Sequence, residues 1–212
     1  HLKQPLGNPL RLSASLFHTA LITVLLVLAG CSVTPSDDFT PIDVTNAAQA
    51  KAWELQGKIA VKTSQDKFST NLYWLHQPKA NDLRLTTVLG TTVLTLKTNQ
   101  GMATLEVDGK TYRDSNAQDL LTGISGWSIP LDSLPLWITG QIGSNDKIVS
   151  YNPDGTINQL ISHDSEANWV VSFLGWQQQS GALVPRLLKV ERENVQIKIQ
   201  TNQWTAVAAK TK

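Results

Sequence analysis

The sequence predicts a mainly β (α+β) protein built on one antiparallel sheet of about eleven strands, curled into a full or partial barrel with two short helical stretches over it. Three observations predict it. Apolar residues recur with period two through most of the chain beyond Leu55, the pattern of strands with one buried face. The connectors are short and carry turn chemistry, as at Asp108-Gly109, Asn152-Pro153-Asp154-Gly155 and Glu193-Asn194. Sequential short strands joined by tight turns make a meander, and a meander this wide leaves fewer exposed edges when it curls. Curling creates a concave apolar interior.

The N-terminal region reads differently from the body. Lys3 and Arg11 form a basic segment, Leu21 to Leu28 an apolar one, and Leu28-Ala29-Gly30-Cys31 places small residues before the single cysteine of the chain. That is the pattern of a lipoprotein signal, which makes residues 1–30 a signal peptide and Cys31 the lipidated first residue of the mature chain. One acyl chain holds a protein at a membrane only reversibly, whereas two or more hold it stably. Ser32 follows the cysteine where an Asp marks inner-membrane retention, so sorting points to the outer membrane, lipid-anchored and facing the periplasm. Residues 31–42 hold Pro35 and Pro41 among polar neighbours and read as the lipidated N-terminus and tether; the folded body is expected over 43–212.

Within the body, Thr45 is expected to cap a helix over 46–54, where four alanines favour it and Trp53 lies on the apolar side. Leu55, Gly57, Ile59 and Val61 then alternate with polar residues, and Phe68, Thr70, Leu72 and Trp74 repeat the pattern. Further strands are expected over 83–88, 91–97, 102–107, 147–152, 157–163, 168–173, 184–191 and 195–204. Helices are expected over 116–122, after Ser115, and 133–139, after Asp132, with Leu134, Trp137 and Ile138 on one apolar face. Pro135 fits because it falls in the first turn. Such helices either lid the mouth of the curled sheet or cover one of its faces.

Composition excludes several functions. The signal segment takes two of the 18 basic residues and none of the 17 acidic ones, leaving the mature chain close to neutral, with no electrostatic case for nucleic-acid binding. Near-neutrality favours docking through a local patch. With Cys31 carrying lipid there is no disulfide, no catalytic thiol and no Cys-containing zinc site. His76 and His163 stand in no metal or triad motif, and no nucleophile elbow, metalloprotease motif or phosphate-binding loop occurs. No cofactor is expected beyond the covalent lipid on Cys31, and a monomer is expected because no heptad or large apolar helix face demands a partner.

Two local features stand out. Trp127 lies in the Gly- and Pro-bounded segment 123–130, where a large aromatic serves as a lid contact or an interface anchor. Two strand-like runs flank Val88-Leu89-Gly90, which puts an apolar pair on a hairpin tip, where polar residues are usual.

Taken together these residues resemble the LolB family of outer-membrane lipoprotein receptors. The resemblance rests on the lipobox and Ser32-Val33-Thr34, the Leu89-Gly90-Thr91-Thr92 tip, Leu121-Thr122-Gly123, the run Ile129-Pro130-Leu131-Asp132-Ser133-Leu134 with Trp137-Ile138-Thr139-Gly140, and later Tyr151-Asn152 and Asn168-Trp169-Val170-Val171. It implies an unclosed barrel with helices as a lid over a hydrophobic cavity. It further implies a receptor, not an enzyme, that takes acylated lipoproteins from the periplasmic carrier LolA and releases them into outer-membrane phospholipid without ATP. In the family a leucine of a protruding loop acts in membrane insertion, and the matching tip here is Val88-Leu89-Gly90. This chain has Thr87-Val88 where the family often has Asn-Pro. Candidate cavity or lid residues are Ile59, Leu72, Trp74, Leu85, Leu94, Trp127, Leu134, Trp137 and Ile138. The same scaffold also suits a periplasmic lipid-binding or envelope-sensing lipoprotein, since fold alone does not specify function.

Overall fold

The computed structural model describes residues 38–163 and 167–211. Its strands are β1 (Phe39–Pro41), β2 (Ala52–Lys62), β3 (Lys67–Gln77), β4 (Ala80–Thr86), β5 (Thr92–Asn99), β6 (Met102–Val107), β7 (Lys110–Asp114), β8 (Asp146–Tyr151), β9 (Ile157–Ser162), β10 (Trp169–Phe173), β11 (Trp176–Gln179), β12 (Ala182–Pro185), β13 (Leu187–Arg192) and β14 (Val195–Ala209). Between β7 and β8 run the helices α1 (Ala117–Ser125) and α2 (Leu134–Ile138). Eleven strands form one path in the order β7-β6-β5-β4-β3-β2-β14-β13-β10-β9-β8, and β1 adds to β14. The two outer strands of that path do not pair with each other, so the barrel is unclosed. The chain crosses the gap between them through α1 and α2, which is why the helices lie over the concave face.

Strand alternation decides what fills that face. Trp53, Leu55, Ile59 and Val61 from β2, Leu72 and Trp74 from β3, and Leu94 and Leu96 from β5 are buried together with Leu188, Val190, Ile197 and Ile199 from β13 and β14. On β14 the register with β2 shifts between Thr201 and Gln203. The extra residue changes which parity faces inward, so Ile197 and Ile199 before the bulge and Trp204 and Ala206 after it all reach the core. Burying each such large side chain is worth about 1.5–3 kcal/mol, which suits a core with no disulfide to support it.

The lid helices are anchored locally. Asn116 caps α1, its side-chain oxygen accepting from the Asp119 N–H, and Gly126 ends it in the left-handed region. In α2 Pro135 sits in the first turn, and Leu134, Trp137 and Ile138 are buried. The Trp137 indole N–H donates to Asp146 Oδ2 at 2.9 Å, and the Gly143 N–H donates to the same oxygen at 2.7 Å. This ties the end of the lid to the start of β8.

The structure corrects the sequence reading in five places. Residues 46–54 do not form a helix: Asn46, not Thr45, caps a single 3₁₀ turn over Ala47–Gln49, and Ala52 to Glu54 already belong to β2. Pairing of β2 on both sides and full burial of Trp53 outweigh alanine preferences of a few tenths of a kcal/mol. Phe39–Pro41, assigned to the tether, is β1 against the end of β14, so paired backbone begins before residue 43. The strand expected over 184–191 is two, β12 and β13, and β7 and β11 were not expected at all. Helix α1 continues through Gly123 to Ser125, inside the segment read as a loop. The caps expected at Ser115 and Asp132 are instead Asn116 and Ser133, the latter without a side-chain hydrogen bond. Cys31, the signal segment and the tether up to residue 37 lie outside the described residues.

Candidate functional site

Under the lid the interior is nearly full. A small cavity of about 30 Å³ remains, and every residue lining it is apolar: Ile59, Leu72, Trp74, Leu83, Leu94, Leu96, Leu121, Ile129, Leu131, Leu134 and Ile199. Of the residues proposed from sequence, Ile59, Leu72, Trp74, Leu94 and Leu134 meet there. Leu85, Trp137 and Ile138 are buried in the same core without lining the void. Trp127 is half-buried at the far end of α1, its ring 5.0 Å from that of Phe68 on β3. Leu83, Leu96 and Ile199 extend alternations visible in the sequence; Leu121, Ile129 and Leu131 come from the lid, where periodicity did not reveal which residues turn inward.

The polar bonds of α1 run largely within the lid. Gln118 Nε2 donates to Thr122 Oγ1, the Thr122 hydroxyl to the Trp127 carbonyl, and the Leu131 N–H to Gln118 Oε1. These three bonds stay within residues 118–131, whereas Ser128 accepts from Arg192 of β13 and Trp137 donates to Asp146, so polar as well as apolar contacts join the helical segment to the barrel.

Two grooves flank α1. One, of about 410 Å³, is bordered by Ser128, Asn145, His163, Trp169 and Arg192, with the Arg192 guanidinium 4.3 Å over the Trp169 ring and donating to Ser128 Oγ at 2.8 Å. The other, of about 350 Å³, lies by the β3–β4 and β5–β6 turns. In its wall Asn81 Oδ1 accepts from the Trp74 indole N–H at 2.9 Å and lies 2.7 Å from His76 Nδ1, while Asn81 Nδ2 donates to Thr98 Oγ1 at 3.2 Å. Burial against Trp53 lowers the pKa of His76, with the Asn81 bond acting in the opposite sense. On the other face of the sheet, burial and the nearby Glu54 carboxylate push the Tyr73 phenol up. Among the described residues His76 is bonded to Asn81 and His163 to Asn168, and neither to a nucleophile. Among the described residues no three His, Cys, Asp or Glu side chains converge as metal ligands, and no helix is long and apolar enough to cross a membrane.

The β4–β5 tip is a three-residue loop. The Thr87 N–H donates to Thr91 O and the Gly90 N–H to Thr87 O, both at 2.9 Å, and Gly90 takes φ +83°, the left-handed position such loops require. Asn71 Nδ2 donates to Thr87 O from β3, and the Thr70 hydroxyl donates to Thr86 O. The loop is thus braced by its own bonds and by β3. At its summit Val88 is 89% and Leu89 94% exposed.

The pattern of the outer membrane lipoprotein LolB family matches residues 51–204, from the start of β2 to Trp204 on β14. The chain belongs to the LolB family. It is 93% identical over 203 residues to the outer-membrane lipoprotein LolB of Shewanella frigidimarina, covering 96% of this chain and all of that one. With the LolB of Shewanella denitrificans it shares 60% identity over 196 residues, 91% of this chain and 97% of the relative. Among solved structures a LolA superfamily protein from Nitrosomonas europaea aligns over 76% of this chain and 88% of its own, with a TM-score of 0.47 and 8% identity. As a LolB-family member the protein is an outer-membrane lipoprotein that serves lipoprotein localisation.

Proposed function

We propose that the protein is an ATP-independent receptor, not an enzyme, that accepts acylated lipoproteins from the periplasmic carrier LolA and inserts them into outer-membrane phospholipid, held there by lipid on Cys31. The observation that carries this reading is the pairing of an apolar-lined cavity covered by two short helices with a braced tip that exposes Val88 and Leu89. Acyl chains contribute about 0.8 kcal/mol per buried CH₂, so three chains represent tens of kcal/mol that must not be exposed to water in transit. An interior that opens by lifting apolar helices shields them, and an exposed leucine on a rigid hairpin gives the protein a foothold in a bilayer. Direction then comes from rising affinity along carrier, receptor and membrane.

The test is transfer of a radiolabelled lipoprotein from purified LolA to the soluble Cys31→Ala mature chain, followed by liposomes, with no nucleotide present. Transfer and then delivery are expected. A folded chain that takes no lipoprotein but retains free phospholipid would replace this reading with that of a lipid-binding or envelope-sensing lipoprotein.

A further inference from the structure

The two grooves beside α1 differ in how they meet the apolar interior. The 410 Å³ groove shares one lining residue with the central cavity, Ile129. The 350 Å³ groove shares four: Trp74, Leu83, Leu96 and Leu131. There, a single layer of side chains is at once the floor of a solvent-filled groove and the wall of the interior. The groove is within the size range of small-molecule sites, whereas the cavity behind it has no room for an acyl chain until that layer parts.

We propose that this second groove is the portal through which a cargo acyl chain enters, with Trp74 as its gate. The proposal rests on the acyl-binding reading above. The groove offers both kinds of surface: exposed Lys79, Asn116 and Asp132 and half-buried Gln118 supply polar groups for the ester, amide and peptide groups that carry the chain, and Met102, 52% exposed, adds apolar surface to the shared floor. The gate is latched by side chains alone. Asn81 accepts from the Trp74 indole and is itself held by Thr98, so Trp74 can swing without breaking a strand pairing. Position supports the same role. Pro78, Lys79 and Gly101 of the groove lie at the base of the β4–β5 hairpin and the Leu83–Leu96 pair midway along it, and Leu89 is six positions beyond Leu83, at most about 20 Å at roughly 3.3 Å per residue. Reception at the base and bilayer contact at the tip would keep carrier and membrane from competing for one end of the molecule.

The experiment uses the Cys31→Ala mature chain, which has no thiol, and adds one exposed cysteine per groove, Lys79→Cys in the proposed portal and Asn145→Cys in the other. Each is capped with pyrene maleimide, and uptake of a fluorescent triacylated cysteinyl peptide is followed by stopped flow. The cap at position 79 is expected to slow uptake at least tenfold and the cap at 145 to leave it within twofold. In a separate chain, Asn81→Leu, shown by circular dichroism to be folded, is expected to speed uptake at least threefold by releasing Trp74. Equal rates with both caps, or slowing by the cap at 145 alone, would overturn the portal while leaving acyl binding intact; an unchanged rate in folded Asn81→Leu would remove Trp74 as the gate. Failure of the uncapped Cys31→Ala chain to bind the peptide would overturn the acyl-binding reading itself.

Discussion

Two hairpins of this molecule treat their apolar residues in opposite ways. The β11–β12 hairpin turns inward: Ala182 and Val184 are fully buried, Trp176 stacks on Phe173 with ring centroids 5.5 Å apart, and the Trp176 indole N–H donates to the Ile157 carbonyl. Its tip is stapled to the body, since Ser180 O accepts from the Val44 N–H at 2.8 Å and Ser180 Oγ from the Ala206 N–H at 3.0 Å. The β4–β5 hairpin instead presents Val88 and Leu89 to solvent on a tip braced by its own bonds and by β3. The first hairpin thus folds the apolar residues of its strands, and its Ser180-Gly181 tip with them, onto the body. The second withholds two apolar residues from the core, and under the proposed function these two are the contact with the bilayer.

Substitutions at the two tips should separate along that line, the largest effect coming first. Gly181 and Gly90 both take left-handed φ, +79° and +83°, but an added Cβ at Gly181 would lie 2.7 Å from the Val44 carbonyl oxygen, whereas one at Gly90 meets nothing within 4 Å. Gly181→Ala is therefore expected to cost about 3 kcal/mol, from strain plus a backbone clash, and to lower Tm by roughly 10 °C in calorimetry. Gly90→Ala is expected to cost about 1 kcal/mol, the backbone contribution alone, in the same measurement. Replacing Val88 and Leu89 together by serine should change urea-unfolding stability by no more than about 0.5 kcal/mol, because neither packs on the core. A loss as large as that at Gly181 would show that the tip is structural.

The smallest effect is on pH dependence. Burial holds the His76 pKa below its ordinary value, so the unfolded chain takes up a proton before the folded one does. Its contribution to stability is therefore complete above about pH 6.5 and declines as pH falls below that towards the lowered folded pKa. His76→Gln is expected to flatten the decline below about pH 6.5 in denaturant titrations, while the parent chain loses stability as pH falls through that value.

The sheet was legible because a strand with one buried face writes period two into the sequence, and Leu72-Tyr73-Trp74 or Ile197-Lys198-Ile199 do so plainly. The strands that escaped are those without such a face. In β7, Lys110–Asp114, only Tyr112 is even half-buried, and β11 reads Trp-Gln-Gln-Gln with no alternation. The 46–54 segment misled because its alanines favour a helix locally, whereas the pairing of Trp53 with His76 and Ala206 is a long-range fact. The same divide runs through the candidate site. Inward strand residues such as Ile59 and Leu94 could be named from alternation, but which of them border the remaining void depends on how Leu121, Ile129 and Leu131 of the lid settle onto them. The exposed tip was the easiest feature to read, since an apolar pair between two strands and a glycine needs no tertiary information to be noticed.

The most direct test of the division between a body that receives and a tip that delivers is a two-stage assay on Leu89→Glu in the Cys31→Ala mature chain. Radiolabelled lipoprotein is loaded from LolA, and liposomes are then added. Loading within twofold of the parent and delivery reduced at least tenfold are expected, with Tm unchanged, because the leucine proposed to enter the bilayer is replaced by a charge that resists leaving water. Delivery at the parent rate would contradict that division.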